Sequence, residues 1–387
     1  MSTSKKTGYQ SPWMNEELAL FRKQVRRFVQ EEFVPQEPRW REQHHPGLEP
    51  WHRAGEMGIL LTDVPEEYGG GGGTFAHETV VMEELAGNLV NFGTGVHSIA
   101  AHYILDYGTA EQKQNWLPRM ARGELIGSIA MSEPAAGSDL QGIKTTARRD
   151  GDEYVINGSK TFITNGFHTS IIVLAVKTGT TAERSSKNVS LIAVETTNLT
   201  GYRVGRSLEK VGMHAQDTCE LFFDDVRVPV THLLGGEEGK GFYMLMEQLP
   251  YERLTVGVGA VASVEAAVAI TTKYVKERHA FGKSLLDFQN TRFKLAECKT
   301  EAHIGRVFLD NCIERLMAGN LDPATAAMSK YWLTDMQCRV IDECVQLHGG
   351  YGYMIEYPIA RLWTDSRVQR IYAGTNEIMK ELIARSL

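Results

Sequence analysis

The chain has 387 residues, too many for one compact hydrophobic core, so two or three packed units are expected. Hydrophobic residues make up 42% and charged residues 23% of it, which is typical of a soluble globular protein. Its 48 acidic and 41 basic residues give a net charge of −7, which argues against nucleic-acid binding. An anionic ligand would therefore need a local basic patch.

The five cysteines, Cys219, Cys298, Cys312, Cys338 and Cys344, include no CxxC pair and are odd in number. We interpret them as buried thiols in a reducing compartment, and we expect no metal site. The first 13 residues contain no apolar signal core and do not resemble a transit peptide. The expected location is the cytoplasm, or the mitochondrial matrix for a mature organelle form. The most apolar long stretch, residues 256–270, contains Glu265 and is predicted to be too short to span a bilayer.

Residues 11–122 are predicted to be helical. Ser11 and Pro12 form a candidate N-cap and first helical position, and Thr109 to Gln112 match a capping box. Two further helices are predicted over residues 78–89 and 95–107. The glycines at positions 69–73 predict a flexible loop and not a phosphate cradle, because no strand precedes them and no GKS follows.

From about Glu124 the pattern changes to strands. Predicted strands cover residues 170–177, 189–194 and 221–228, which are rich in Val, Ile and Phe. Asp150-Gly151 and Asn157-Gly158 are predicted hairpin turns. Because no helix of useful length separates the strands, we expect an antiparallel sheet, sandwich or barrel.

The remainder is again predicted to be helical. Residues 290–318 place Phe293, Ile304, Val307 and other apolar residues on one broad face. Asp322-Pro323 begins the next helix, which is predicted to end at Gly349-Gly350. With residues 249–277 and the C-terminal helix, these suggest a four-helix bundle. The predicted fold class is α+β, with helical residues 1–124, a β domain over residues 125–237 and a helical domain over residues 238–387.

Two stretches partly match nucleotide-binding motifs, but the residues around them do not complete either motif. Gly282-Lys283-Ser284 has the end of a Walker A loop, but Glu277 stands where that motif needs glycine. Gly257 and Gly259 begin a GxGxxA pattern inside a predicted helix, with no strand before it. A dinucleotide would therefore bind without a Rossmann fingerprint.

Four other stretches carry a family resemblance. They are AMSEPAAGSD at residues 130–139, RHAFGKSL at 278–285, QLHGGYGYMIEYPIARLWTD at 346–365 and IYAGTNEI at 371–378. Together they resemble the acyl-CoA dehydrogenases, flavoproteins that desaturate acyl-CoA thioesters, over essentially the whole chain. The resemblance is greatest to the long-chain and isovaleryl branches. It implies helical, β and four-helix-bundle domains in that order, and a non-covalent FAD.

The resemblance also implies the site residues. Met131, Ser132, Gly137, Ser138, Phe162, Ile163, Thr164, Thr375, Asn376 and Glu377 would bind FAD within one subunit. Arg278, Phe281, Gln289, Gln346, Leu347, His348, Gly349 and Gly350 would reach the FAD of a neighbouring subunit. Ser138, Tyr243, Pro250, Tyr251, Arg253, Ala373 and Gly374 would contact the substrate. A homotetramer is implied, because a monomer would lack complete cofactor sites.

The catalytic base is where the sequence departs from the commonest family pattern. Short- and medium-chain members carry a glutamate at the position of Ala373, and alanine cannot accept a proton. In the long-chain and isovaleryl branches the base lies on an earlier helix beside an arginine, and Glu252-Arg253 matches that arrangement. The alternative interpretation of Glu252 is an acid in the first turn of a helix begun by Pro250.

The resemblance therefore implies α,β-desaturation of a medium- or long-chain acyl-CoA to the trans-2-enoyl-CoA. Glu252 would remove the α-proton, flavin N5 would accept the β-hydride, and an electron-transferring flavoprotein would accept the electrons. One alternative is an isovaleryl-CoA-type enzyme for short branched chains. Another is a flavin monooxygenase of the same fold, expected to lack a base at position 252. A noncatalytic, DNA-associated member is expected to carry a basic tail, which the residues up to Leu387 do not show.

Overall fold

The computed structural model of the chain describes residues 9–179 and 186–387. The expectation about the first 13 residues falls mostly on residues 1–8, which lie outside the described part. The described elements run from helices to strands and back to helices. The N-terminal helices are α1 (Glu16–Phe28), α2 (Glu37–Gln43), α3 (Glu49–Met57), α4 (Phe75–Gly87), α5 (Thr94–Tyr107) and α6 (Ala110–Ala121).

Capping residues explain where two of these helices begin. The predicted N-cap at Ser11 is wrong, because the Asn15 side chain accepts the hydrogen bond from the N–H of Leu18 and starts α1 there. Ser11 instead begins a short turn closed by the N–H of Met14. The capping box at Thr109 and Gln112 is confirmed, with both reciprocal hydrogen bonds formed.

The glycine-rich segment, residues 69–73, is a loop folded tightly on itself. All five of its backbone N–H groups donate to carbonyl groups between residues 61 and 66. A Cβ atom on Gly70 would lie 2.2 Å from the carbonyl oxygen of Val64, so only glycine fits there. Since its donors are already used within the chain, this loop has none left to cradle a phosphate.

In the described part of the chain, the middle region forms one sheet of seven strands. The strands are β1 (Gly127–Ala130), β2 (Thr146–Asp150), β3 (Glu153–Thr164), β4 (Ile171–Lys177), β5 (Val189–Glu195), β6 (Tyr202–Ser207) and β7 (Thr218–Pro229). They lie in the order β1-β4-β2-β3-β7-β6, and β5 also pairs with β4. The expectation of a purely antiparallel sheet is wrong, because β1 and β2 pair with β4 in parallel. The chain leaves β1 through a long loop, not a hairpin, which permits this pairing.

Of the two predicted hairpin turns, one is correct. Asp150-Gly151 joins β2 to β3, and Gly151 has a φ of 65°. Asn157-Gly158 lies inside β3, where the pairing with β7 shifts its register between Ile156 and Gly158. A Cβ atom on Gly158 would lie 2.5 Å from the Thr145 hydroxyl, so this glycine marks an irregularity within a strand.

The C-terminal region is the predicted helical bundle. Its elements are α7 (Gly241–Glu277), the hairpin β8 (His279–Ala280) and β9 (Lys283–Ser284), α8 (Gln289–Met317), α9 (Pro323–His348), α10 (Pro358–Ser366) and α11 (Asn376–Ala384). Helix α7 packs against α8 and α9, and α11 packs on α9. On its other side α7 packs against α4 and α5. It therefore contacts both helical regions.

The predicted apolar face of α8 is partly wrong. Phe293, Ile304 and Val307 are 57%, 51% and 43% exposed, whereas Cys298 and Leu309 are among the residues that reach the core. The helix carries apolar residues on two faces, and periodicity alone does not say which face is buried.

Helix α7 also changes the expectation about membrane spans. By length and composition it could cross a membrane, and it is the one such helix among the described residues. The prediction from the sequence considered only residues 256–270 of this helix. Within the protein, 67% of its most apolar window is buried in the packing described above.

Candidate active site

Glu252 lies within α7, on the helix that packs against both α5 and α9. Glu252 is 3% exposed, and its carboxylate accepts a hydrogen bond of 2.6 Å from the Tyr103 hydroxyl. Burial raises the pKa of Glu252 to about 7, against the opposing effects of the Tyr103 hydrogen bond and the charge of Arg253. A carboxyl group that titrates near neutrality is suited to general-base catalysis.

The interpretation of Glu252 as a helix-start acid is wrong. Helix α7 begins at Gly241, so Pro250 lies inside it, and Glu252 lies eleven residues after the first residue of the helix, well beyond its first turn. Its carboxylate contacts a tyrosine of α5 and not the N–H groups of a helix end. The helix dipole therefore does not explain an acid at this position.

The loop before α11 contains Ala373 and Gly374, both in the left-handed region, with φ of 52° and 87°. Buried Lys330 of α9 fixes this loop, because its ammonium group donates to the Gly374 carbonyl at 2.7 Å. Within the described part of the chain, the N–H of Ala373 has no hydrogen-bond acceptor. A backbone donor held at a strained, fixed position is suited to bind a carbonyl oxygen of a ligand.

Arg253 is 4% exposed, and its Nε atom has no hydrogen-bond partner in the described chain. Burial lowers the pKa of Arg253, and the neighbouring Glu252 carboxylate opposes this shift. The charges of Arg253 and Lys330 lie close enough to interact, and burial followed by the charge of Arg253 lowers the pKa of Lys330 to about 8. The region beside Glu252 therefore holds two buried cationic groups.

Three predicted cofactor residues at the start of α11 have different surroundings. The Asn376 side chain is buried and bonded to α9, with the Lys330 ammonium group 2.9 Å from its oxygen and Asp335 accepting from its nitrogen at 3.0 Å. The Thr375 hydroxyl caps α11 by accepting from the N–H of Ile378. Glu377 is exposed. The Asn376 amide thus anchors the loop to α9, while Glu377 lies exposed at the start of α11.

A second group of predicted site residues lies at the end of β1 and in β3. The Lys160 ammonium group, which is buried, donates to the Met131 carbonyl at 3.0 Å and to the Glu133 carboxylate at 2.8 Å. Glu133 also accepts from the N–H groups of Lys144 and Thr145. Burial lowers the pKa of Lys160 to about 8, despite the Glu133 charge. The segment with Met131 and Ser132 is thereby fixed between two strands.

The predicted ring-binding residues lie beside this segment. Phe162 is 69% exposed and has a φ of 60°, an uncommon combination for a large apolar residue. Ile163 is buried in the sheet core, and Thr164 is half-buried at the end of β3. An exposed aromatic ring held on a strained backbone suits contact with a planar ligand. Gly137 and Ser138 lie exposed in the loop after β1.

A third group of predicted residues forms a cavity in the C-terminal region. The cavity has a volume of about 530 Å³, and its lining includes Arg278, Gln346, Leu347, His348, Gly349 and Gly350. No residue of β1 or β3 lines it. The Arg278 guanidinium group lies 5.5 Å from the centre of the Tyr351 ring. Phe281, at the tip of the β8–β9 hairpin, is 94% exposed, and Gln289 begins α8.

The predicted substrate residues divide between surface and interior. Tyr243 is 49% exposed near the start of α7. The Tyr251 hydroxyl lies 3.1 Å from the Ser98 hydroxyl and 3.3 Å from the Asp63 carboxylate, so it faces the N-terminal helices. Pro250 and Arg253 flank the Tyr251–Glu252 pair on α7.

Sequence reasoning missed Tyr103, Lys330 and the Lys160–Glu133 ion pair. Lysine occurs rarely in protein interiors, so a lysine within an otherwise apolar predicted element is unusual. Lys160 in a β-rich run and Lys330 in an apolar helix could have been identified in this way. Tyr103 carried no such signal, because tyrosine in an amphipathic helix is ordinary. Its role depends on the packing of α5 against α7.

The arrangement fits an oxidoreductase of the FAD-dependent kind. A buried carboxyl group and an unpaired backbone N–H are suited to act on a carbonyl compound, and the exposed Phe162 face suits a planar redox cofactor. The Arg278 guanidinium group in the cavity suits the phosphate-bearing half of such a cofactor. The described residues contain no cluster of His, Cys, Asp and Glu suited to a metal ion.

The chain belongs to the acyl-CoA dehydrogenase family. Its residues 15–124, 128–226 and 239–387 match the family models for the N-terminal, middle and C-terminal domains. It is 47% identical over 370 residues to the mitochondrial long-chain specific acyl-CoA dehydrogenase of Mus musculus, covering 95% of this chain and 86% of that protein. It is 34% identical to the mitochondrial isovaleryl-CoA dehydrogenase of Solanum tuberosum, covering 95% of this chain and 89% of that one.

A solved structure agrees in fold. The crystal structure of an acyl-CoA dehydrogenase from Geobacillus kaustophilus superposes with a TM-score of 0.95 at 48% identity, covering 97% of this chain and 99% of that one. The family consists of FAD-dependent oxidoreductases. The expectations of fold, family and cofactor are therefore confirmed.

Proposed function

We propose that this chain oxidises straight medium- or long-chain acyl-CoA thioesters to trans-2-enoyl-CoA, with Glu252 as the catalytic base. The observation that carries the proposal is the buried Glu252 carboxyl group, hydrogen-bonded to Tyr103, in a chain with alanine at position 373. Ala373 offers no proton acceptor, so the neighbouring helix supplies it.

Glu252 and Ala373 have different roles toward the substrate. Glu252 accepts the α-proton, and the N–H of Ala373 donates to the thioester carbonyl, which stabilises the charge that develops on its oxygen. Lys330 keeps this N–H in place by binding the next carbonyl group, that of Gly374. The positive charge of Arg253 favours the ionised form of Glu252 before substrate binds.

Within one subunit, the FAD would be held by residues at the end of β1, in β3 and at the start of α11. Met131, Ser132, Phe162 and Thr164 would contact its ring system, and Thr375 and Glu377 would complete that side. FAD supplies the acceptor for the β-hydride. Arg278 and the 346–350 strip lie in a separate cavity, and we assign them to the FAD of a second subunit. This assignment requires a symmetric oligomer, and a homotetramer is typical of the family.

The preferred acyl-chain length of the substrate is assigned by similarity to relatives. Identity to the long-chain enzyme exceeds identity to the isovaleryl-CoA enzyme, 47% against 34%. The test is anaerobic mixing of the FAD-loaded protein with acyl-CoAs of graded length, following flavin bleaching. Medium or long straight chains should bleach the flavin faster than isovaleryl-CoA. Fast bleaching by isovaleryl-CoA alone would assign the protein to the short branched-chain type.

Two further assignments follow from the family. An electron-transferring flavoprotein is the proposed acceptor, and a reducing compartment, cytoplasm or mitochondrial matrix, is the proposed location. The acceptor is tested by adding oxidised electron-transferring flavoprotein to the substrate-reduced enzyme. Failure to reoxidise the bound flavin would exclude it.

A further inference from the structure

We propose that Tyr103 is a positioning residue for the catalytic base, holding the Glu252 carboxylate and keeping it ionised through one buried hydrogen bond. This inference rests on the proposed function, in which Glu252 accepts the substrate α-proton.

The geometry makes Tyr103 the main partner of Glu252. The hydroxyl–carboxylate distance is 2.6 Å, which is typical of a hydrogen bond to a charged acceptor. Tyr103 is fully buried and Glu252 is 3% exposed. No other side chain of the described chain donates a hydrogen bond to this carboxylate. Without the tyrosine, the base would lie in apolar surroundings with only a neighbouring charge to stabilise it.

The same two helices also meet one residue earlier. On α5, His102 precedes Tyr103, and on α7, Tyr251 precedes Glu252. The His102 and Tyr251 rings lie 4.3 Å apart, and His102 forms an ion pair of 3.3 Å with Asp63. Two adjacent residues of α5 thus contact two adjacent residues of α7. This double contact fixes the turn of α7 that presents the base.

The other charged groups near this contact do not replace the tyrosine. Arg253, on the helix of Glu252, acts on the carboxylate through its charge and not through a hydrogen bond. Lys330 of α9 is directed to Gly374 and Asn376. Glu78 of α4, with Asp63 and His102, lies on the Tyr251 side. Since burial disfavours the ionised carboxylate, a donor at hydrogen-bond distance is needed to oppose that effect.

The test is Tyr103→Phe, which removes the hydroxyl and keeps the ring. The rate of flavin reduction is measured against pH with a saturating concentration of a rapidly oxidised acyl-CoA. The pH below which this rate falls should rise by about one to two units, the equivalent of one hydrogen bond to a charged group. Below that pH, reduction should be about 10- to 100-fold slower. At high pH the rate should approach that of the unmodified protein, and the FAD content should be unchanged.

The matched control is Tyr107→Phe. Tyr107 lies one turn further along α5 and donates to Glu247 of α7 at 2.8 Å, on the exposed side of the same helix pair. The chemical change is identical, but Glu247 has no proposed role. The pH profile of this variant should match that of the unmodified protein. A second variant, Tyr103→3-fluorotyrosine, strengthens the donor without changing its size and should lower the pH below which the rate falls.

Glu252→Gln, measured in parallel, separates the two hypotheses. If Glu252→Gln abolishes flavin reduction while the Tyr103→Phe and Tyr103→3-fluorotyrosine profiles superimpose on the unmodified one, the positioning role alone is wrong. If Glu252→Gln reduces its flavin normally, the assigned base is wrong and the role of Tyr103 is wrong with it. If the phenylalanine variant does not fold, the downward shift of the fluorotyrosine variant decides.

Discussion

The Glu252 region and the Arg278 cavity differ in how many of their contacts are supplied within one chain. Around Glu252, the partners come from the chain itself: Tyr103 holds the carboxylate, and Lys330 holds the loop that carries Ala373. Around Arg278, the residues line an open cavity, and Phe281 on the adjoining hairpin is 94% exposed. Near Glu252 the carboxylate and the Gly374 carbonyl are hydrogen-bonded within the chain, whereas near Arg278 the side chains line an open cavity.

On the assignments proposed above, this difference corresponds to catalysis in one region and subunit assembly in the other. A base must be positioned before substrate arrives, because small displacements of a catalytic group reduce the rate strongly. A surface that serves another subunit must instead remain open until the subunits meet. The comparison predicts that substitutions near Glu252 change the rate with FAD retained, whereas substitutions near Arg278 change FAD retention and assembly.

The largest expected effect is that of Glu252→Gln. Glutamine keeps the size of the side chain but cannot accept a proton, so flavin reduction should slow by about 10²- to 10⁴-fold. FAD content and acyl-CoA binding should be unchanged. Rapid-mixing measurements of flavin bleaching check the rate, and Glu247→Gln on the exposed side of α7 is the control.

The base can also be moved within the site. Ala373→Glu in a Glu252→Gly background should recover part of the rate, because the family contains bases at both positions. Recovery should be incomplete, since position 373 has a left-handed backbone that constrains a new side chain. No recovery at all would mean that position 373 does not face the substrate α-carbon in this chain.

Arg278→Ala should weaken FAD binding by about 1.5–3 kcal/mol, the range for a charge-assisted hydrogen bond, or about 10- to 100-fold. Fluorescence of released FAD during dilution measures the loss. Arg148→Ala on β2, also an exposed arginine, should leave FAD retention unchanged. Unaltered FAD affinity in Arg278→Ala would remove the assignment to a neighbouring cofactor.

Mixed assemblies sharpen the same comparison. Co-expression of Glu252→Gln and Arg278→Ala chains places an intact Glu252 and a neighbour's intact Arg278 around some of the cofactors. Such mixed oligomers should be more active than either variant alone. Activity that never exceeds the mean of the two variants would show that Arg278 and Glu252 act within one subunit.

Lys330→Met should lower the free energy of unfolding by about 1–3 kcal/mol, because the Gly374 carbonyl and the Asn376 side chain lose a buried donor. Denaturant titration of the FAD-loaded protein measures this change. Lys299→Met, at an exposed position of α8, should change stability little. A loss no larger than that of the control would mean that the loop before α11 is held by other contacts.

The rate of flavin reduction by the unmodified protein should also depend on pH. Glu252 acts as a base only when ionised, and burial raises its pKa to about 7. The rate of flavin reduction should therefore be nearly constant above pH 7 and fall about tenfold per unit below it. Stopped-flow measurements between pH 5.5 and 9 check this. A rate that stays constant down to pH 5.5 would contradict the raised pKa.

Much of the architecture followed from local patterns. The capping box at Thr109, the Asp150-Gly151 turn and the Asp322-Pro323 helix start depend on residues close together in sequence, and all three were correct. The errors arose where distant segments decide. The parallel pairing of β1 with β4 and the exposed face of α8 depend on neighbours that periodicity does not identify.

For the site, the sequence by itself determined the family, the absence of a carboxylate at Ala373 and Glu252 as the alternative acid. These follow from the stretches that resemble the family and from what that resemblance implies. Only the tertiary structure decided that Glu252 is buried inside a helix, that Tyr103 is its partner, and that Lys330 holds the 373–376 loop. The physical reason is that burial and hydrogen bonding between α5, α7 and α9 depend on how these helices pack, which no single segment encodes.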